Sequence, residues 1–391
     1  MKLSPFKYFS RILCAVIFSS FVATTQAQTT IPAFLSANSS PPEPEAKSWV
    51  LLESNTGWVL AAHNEHNQVD PASLTKLMTA YLTFDALESG KISATDKVYI
   101  SKKAWKAPGS RMFLNVDTSA SIGELIKGLI IQSGNDAAVA LAEQIGGSES
   151  GFANLMNEAS SRLGMRNTHY INSSGLPAEG HYTTAYDTAL LSRALIQEFP
   201  DLYALFAIRE YTYNDITQPN RNSLLWRDDS YDGLKTGHTK AAGYCLAGSA
   251  ARDNTRFIAT VMGANSTKSR VQGVSALIEY GFSQYETATV FGSTAPVQSL
   301  ALFKGELSSA DVGSSQPVSI VIPKGQSASM QISYDLPEKL VAPLGVNDVV
   351  GTASISFNGQ TVGQVEMYPL HDYTLGSIWV QLIDAVKIKL F

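Results

Sequence analysis

Ser73-Leu74-Thr75-Lys76 sets a hydroxyl and an amine three residues apart. Residues at that spacing are neighbours on a helix, so Lys76 would sit over Ser73. A serine hydroxyl is a weak nucleophile until a base takes its proton, and a lysine stripped of water, with its pKa depressed, can be that base. Such a pair supports acyl transfer through a serine ester. Taken alone, the same four residues fit an ordinary Ser and Lys near a helix start. Two more short signals lie downstream: Ser133-Gly134-Asn135, 60 residues after Ser73, and Lys235-Thr236-Gly237, 162 residues after it. In isolation the first reads as a turn and the second as a strand end.

The elements that must hold these groups are legible around them. Leu74, Leu77, Met78, Tyr81 and Leu82 recur at the spacing of a buried helical stripe. Asp70-Pro71 just before them supplies a cap and a first-turn proline. Ser121 and Glu124 form a capping box ahead of Leu125, Ile126, Leu129 and Ile130. That helix is interrupted at Ser133-Gly134-Asn135, and an alanine-rich helix resumes through Leu141. Glycine inside a helical pattern costs about 1 kcal/mol relative to alanine, so the break marks a turn or a functional approach. Upstream, apolar runs at 49–52 and 58–61 flank Ser54-Asn55-Thr56-Gly57, a hairpin signature. Residues 150–205 are expected to be mostly helical, with a Gly/Pro-containing loop around 174–180. From Leu234 the pattern turns to strands, at 243–250 and 256–262 around the turn Arg252-Asp253-Asn254, and a helix at about 268–280 closes the region. This order predicts a mixed α/β domain: an antiparallel sheet with helices on its faces and an inserted helical region.

After about residue 287 short β-prone runs alternate with Gly, Pro and Asn turns, the pattern of a small β-sandwich. In the last 17 residues Leu375, Ile378, Trp379, Leu382, Ile383, Val386 and Leu390 fall on one helical face, with Ser377, Gln381 and Asp384 on the other. Packing on the β-domain is one use for such a helix; its terminal position favours lying in a membrane interface, and it is too short to span. At the other end, Lys2, Lys7 and Arg11 precede an apolar run at 12–23 and small residues at Thr25 and Ala27, which reads as a cleaved export signal. The expected organisation is therefore a signal at 1–27, a proline-rich linker at 28–46, a catalytic domain at 47–286, a β-sandwich at 287–372 and an amphipathic tail at 373–391. Losing the signal removes three positive charges and takes the net charge from −5 to −8, a poor balance for nucleic-acid binding. Only Cys245 then remains, so no intramolecular disulfide is available and stability must come from burial.

Together, in this order and context, the three signals match the motif set of serine β-lactamases and penicillin-binding proteins, with S-G-N in place of S-D-N. The chain resembles the low-molecular-mass penicillin-binding proteins that act as serine-type D-alanyl-D-alanine carboxypeptidases. The resemblance covers nearly the whole length and extends to residues 72–79, 132–136, 232–239 and the Gln218-Pro219-Asn220-Arg221-Asn222 segment. It implies a penicillin-binding, β-lactamase-like fold followed by an all-β domain and a tail helix. It also implies a peptidoglycan pentapeptide substrate, acylation by β-lactam antibiotics, no cofactor, and a location on the periplasmic face of a bacterial inner membrane. By the same resemblance Ser73 is the acyl-ester nucleophile, Lys76 the proton acceptor and Ser133 a proton relay. Asn135 would hold the substrate amide, Lys235 and Thr236 its carboxylate with help from Arg270, and Gly237 would complete that wall. The backbone N–H groups of Ser73 and His238 would form the oxyanion hole. His63, His66, His169 and His181 show no metal-ligand spacing, and Cys245 reads as a small buried hydrophobe.

Three rival readings share these motifs. A β-lactamase would need a loop glutamate to activate water; Glu179 is the candidate, without the Glu-x-x-x-Asn pattern of class A enzymes. An endopeptidase cutting peptide cross-links would use the same groups. A catalytically dead scaffold would have little reason to keep Ser73, Lys76, Ser133 and Lys235 together.

Overall fold

A computed structural model describes residues 33–35, 37, 39–292 and 295–390; the expected signal at 1–27 lies outside them. The chain begins with the hairpin β1 (Ser48–Glu53) and β2 (Val59–His63), whose turn is closed by the buried Glu53 carboxylate accepting from the backbone N–H groups of Asn55 and Thr56. A 3-10 turn, Ala72–Leu74, runs into α1 (Thr75–Glu88). A small ribbon, β3 (Lys97–Tyr99) and β4 (Ser119–Ser121), brackets the short α2 (Lys102–Trp105), and α3 (Ile122–Ile130), α4 (Asn135–Gly146) and α5 (Glu149–Arg162) follow. After a long loop come α6 (Ala185–Glu198), the single turn α7 (Pro200–Tyr203) and the ribbon β5 (Glu210–Tyr213) with β6 (Ile216–Pro219). The strands β7 (Tyr231–Thr239), β8 (Gly243–Arg252) and β9 (Thr255–Ala264) and the helix α8 (Thr267–Gln284) complete the first region.

Its frame is a five-stranded antiparallel sheet in the order β2-β1-β9-β8-β7. Period-2 alternation sends Val50 and Leu52 of β1 to the core shared with α1 and α6, and Trp49 and Leu51 to the core under α8. The expected mixed α/β architecture is thus present, with α3, α4 and α5 as the inserted helical part. Two local expectations are corrected. α1 is buried on nearly all sides, not along one stripe, because α3, α4, α5 and α6 pack around it. Its polar residues are accommodated by hydrogen bonds: Thr79 Oγ1 donates to Ser173 O at 2.7 Å and Thr83 Oγ1 to Thr79 O at 2.7 Å. Asp70 does not cap this helix either. Pro71 occupies the cap position, and the first turn closes through backbone alone, Leu74 N–H to Pro71 O. The Ser121–Glu124 box forms in full, each side chain meeting the other's backbone N–H.

The second region contains β10 (Tyr285–Phe291), β11 (Gln298–Phe303), β12 (Ser309–Gly313), β13 (Val318–Pro323), β14 (Met330–Asp335), β15 (Lys339–Val341), β16 (Gly351–Phe357) and β17 (Gln360–Pro369). β10 pairs with β13, and the other six form a sheet ordered β14-β16-β17-β12-β11-β15. Phe291, Ile320 and Ile322 of the pair meet Leu302, Val312, Ile355 and Phe357 of the larger sheet in one core, which makes an all-β domain. The last helix, α9 (Ile378–Leu390), begins five residues later than the expected start of the tail at 373. Trp379 is 71% exposed, while Asp384 is 7% exposed and accepts from the Lys304 N–H at 2.8 Å and from Lys387 Nζ at 3.0 Å. The polar face of α9 is docked on the domain and the apolar face points away from it. No helix among the described residues is long and apolar enough to cross a membrane.

The capping box gives a direct check on this frame. Ser121→Ala should lower the stability of the first region by about 1 kcal/mol, read as a reduced urea midpoint with an unchanged slope. An unchanged midpoint would show that the box contributes nothing.

Candidate active site

Ser73 lies in the middle of the Ala72–Leu74 turn, and the backbone there is clasped from two sides. Ala72 has φ +47°, a conformation that L side chains rarely adopt. Gly175, at φ +86°, packs so closely that a Cβ on it would lie 1.8 Å from Ala72 O. On the other side a Cβ on Gly237 of β7 would meet Pro71 O, Ala72 Cβ and Ser73 N at 3.2 Å each. The glycine of the Lys-Thr-Gly signal therefore has a steric reason: strand β7 must come against the serine's own backbone.

Lys76 sits one turn on and is 1% exposed. Its Nζ lies 3.0 Å from Ser73 Oγ, 2.6 Å from Asn135 Oδ1 and 2.6 Å from Ser174 O. The last two partners are carbonyl oxygens, which can only accept. A neutral amine has two N–H bonds and one lone pair; with both N–H bonds given to Asn135 and Ser174, the lone pair is left for the Ser73 hydroxyl. Burial, then the charge of Arg221, lower the Lys76 pKa to about 7, with Asp136 pulling the other way. The amine is thus poised near neutrality.

Ser133 and Asn135 come from the break between α3 and α4. Ser133 has φ +59° and is buried, and the turn brings Asn135 to the first residue of α4. Both ends of the Asn135 carboxamide are engaged by protein: Oδ1 by Lys76, and Nδ2 by Pro108 O at 2.5 Å. Asp136 is a site residue that the motif reading passed over. Its carboxylate accepts from the N–H groups of Met112 and Leu114 at 3.0 and 3.1 Å, tying loop 107–114 to the motif. An acidic residue in the first turn of a helix was the available signal.

Lys235 is buried inside β7, with Nζ donating to Thr236 O at 3.2 Å, and burial followed by the charges of Lys76, Arg221 and Arg270 lower its pKa. Thr236 is buried beside it, while His238 is exposed with its ring 4.1 Å from that of Tyr244. Arg270 reaches β7 from α8: Nη1 donates to Gly237 O at 2.9 Å and Cys245 O at 3.3 Å, its guanidinium lies over Tyr244, and its Nε has no hydrogen-bond partner. Arg221 donates to Gln132 O, next to Ser133, and its charge acts on Lys76, Lys235 and Arg270. Sequence reading noted its segment but gave it no role. The positive side chains of Arg221, Lys235 and Arg270, gathered beside a small hydroxyl, suit an anionic ligand. Glu179 is exposed on the loop that supplies Ser174 O, and Cys245 is buried with its thiol pKa raised to about 11 by that burial. No cluster of His, Cys, Asp or Glu among the described residues could hold a metal ion.

This arrangement is that of a serine acyl-transfer enzyme of the penicillin-binding class. Residues 36–266 match the family model for D-alanyl-D-alanine carboxypeptidase, and residues 285–374 match that for the penicillin-binding protein 5 C-terminal domain. The chain belongs to the D-alanyl-D-alanine carboxypeptidase family of serine peptidases. It is 39% identical over 356 residues to D-alanyl-D-alanine carboxypeptidase DacC of Escherichia coli, covering 89% of each chain. It is 37% identical to DacF of Bacillus subtilis, over 82% of this chain and 84% of that one. Penicillin-binding protein 5 of Haemophilus influenzae superposes with a TM-score of 0.78 at 35% identity, over 86% of this chain and 99% of that one.

The clasp around Ala72 can be tested at Gly175. Gly175→Ala puts a methyl into the Ala72 carbonyl at a positive φ, so the protein should lose more than about 2 kcal/mol of stability, seen as a lowered melting temperature. A wild-type melting temperature would mean the loop yields freely and is no clasp.

Proposed function

We propose the following division of labour for the serine D-alanyl-D-alanine carboxypeptidase reaction of this chain. Lys76 takes the Ser73 proton as Oγ attacks the carbonyl of the terminal D-Ala–D-Ala bond of a peptidoglycan pentapeptide. The oxyanion that forms is held by the backbone N–H groups of Ser73 and His238. As the C–N bond breaks, the proton passes from Lys76 through Ser133 to the leaving D-alanine nitrogen. Water then cleaves the ester and frees Ser73. Lys235 and Thr236 receive the substrate carboxylate. Arg221 and Arg270 add to the positive field at that point, Arg270 from behind β7 through Gly237 and Cys245. A β-lactam is opened by the same attack, but its ring nitrogen stays tethered to the acyl group.

The observation that carries this reading is the orientation of the Lys76 amine by two carbonyl acceptors, with Ser73 Oγ at 3.0 Å. The exposure of Glu179 speaks against a loop-glutamate β-lactamase. We further propose that export is directed by residues 1–27, that residues 47–286 form the catalytic domain and 287–372 its support, and that the enzyme works at the periplasmic face of the inner membrane. There the tail at 373–391 would rest its apolar side on the lipid, which the outward apolar face of α9 supports.

Three outcomes follow. Release of D-alanine from a pentapeptide requires neutral Lys76, so the acylation rate should climb as pH rises through about 7, where the lowered pKa falls. Lys76→Ala should abolish both this release and labelling by a fluorescent penicillin while leaving the fold intact; retained labelling would remove Lys76 from the role. For the tail, a chain ending at Asp372 should appear in the soluble fraction while the full chain sediments with membranes. Equal sedimentation would refute the anchor.

A further inference from the structure

The loop that gives Lys76 one of its two acceptors is tied to α1 by a side chain that no catalytic role has used. His181 is 4% exposed and bridges two elements. Its Nδ1 accepts from the Ile171 N–H at 3.0 Å, which leaves the ring proton on Nε2 of the neutral imidazole. Nε2 lies 2.9 Å from Thr75 Oγ1, so it donates to that hydroxyl. Thr75 sits between the nucleophile and the base in sequence, and Ile171 begins the stretch that ends in Ser173, Ser174 and Gly175. In that stretch Ser173 O accepts from Thr79, Ser174 O accepts from Lys76, and Gly175 packs on Ala72. Asn172 Oδ1 accepts from the N–H groups of Ser174 and Gly175 and Glu149 accepts from Ser173, so the stretch holds a defined shape that His181 then pins to the start of α1.

We infer that His181 is a positioning residue for catalysis: through Thr75 and Ile171 it sets where the Ser174 carbonyl meets Lys76, and so keeps the general base dry and aimed at Ser73. A shift of about 1 Å in a catalytic group can cost about a hundredfold in rate, so a latch this near the pair has leverage. The ring is faced by the Thr75 hydroxyl, the Ile171 N–H and the edge-on Tyr170 ring, and His169 is the titratable neighbour that acts on it. Burial, then His169, hold its pKa down to about 4, so the neutral donor–acceptor form persists at neutral pH. The inference rests on Lys76 being the base.

The test is the rate of acylation by a fluorescent penicillin across pH 5.5 to 9, together with melting temperatures, for wild type, Thr75→Val, His181→Ala, the double variant and His181→Gln. Thr75→Val and His181→Ala should each slow acylation about tenfold at neutral pH. Water reaching Lys76 should move the midpoint of the profile upward by about one pH unit. The double variant should be no slower than the slower single one, because both break one bridge. His181→Gln, which keeps a donor and an acceptor, should retain most of the rate. If His181→Ala does not fold, Thr75→Val decides the matter, since it preserves shape and removes only the hydroxyl. Variants that lower the melting temperature but keep the wild-type midpoint and rate would show a merely structural bridge and overturn the inference. A wild-type profile with no inflection near neutrality, or labelling of Lys76→Ala, would instead bring down the assignment of the base itself.

Discussion

A buried lysine amine must be held so that its lone pair, not its protons, faces a serine, and most of the first region serves that requirement. Burial disfavours the charged form of Lys76, since an ammonium loses its water there. Orientation comes from two carbonyl oxygens that arrive from different parts of the chain, Asn135 from the start of α4 and Ser174 from the loop before α6. Neither could be supplied by α1, whose own backbone acceptors are spent within the helix. The fold therefore wraps α1 on nearly every side, and polar residues in its interior, Thr79 and Thr83, find partners instead of water.

Positive charge is the second constraint, and it works in two directions. Arg221 lies close enough to lower the Lys76 pKa and so discourage protonation of its amine, and Lys76, Arg221 and Arg270 together lower that of Lys235. The same groups would welcome a carboxylate, and a bound carboxylate would weaken that repulsion. Asp136 moderates the effect of that charge on Lys76 while its oxygens accept from backbone N–H groups of loop 107–114.

Features with a short-range cause were legible in the sequence. The Ser121–Glu124 box, the hairpin around Ser54–Gly57 and the break at Ser133–Asn135 each follow from residues within a few positions of one another, and each forms. The spacing of Ser73 and Lys76 was also readable, and the structure brings Lys76 Nζ to 3.0 Å from Ser73 Oγ. What was not readable depends on long-range packing. Nothing near Gly175 reveals that it must press on Ala72 a hundred positions earlier in the chain, and nothing near His181 names Thr75 as its partner. Asp70 was a reasonable cap by composition, yet the site needs a 3-10 entry at Ser73, and backbone closes that turn without it. Arg270 is another such case: its Nη1 donates to carbonyls of β7 and β8 that lie far from it in the chain.

The docking of α9 has a consequence for the protein away from any lipid. The helix is fastened to the domain through Asp384, which accepts from the Lys304 N–H, and its large apolar side chains point outward. A soluble protein seldom leaves such a surface in water, because another copy can cover it as readily as a bilayer can. In free solution the exposed Trp379, Leu382, Ile383 and Val386 would give a second copy of the chain an apolar surface to cover.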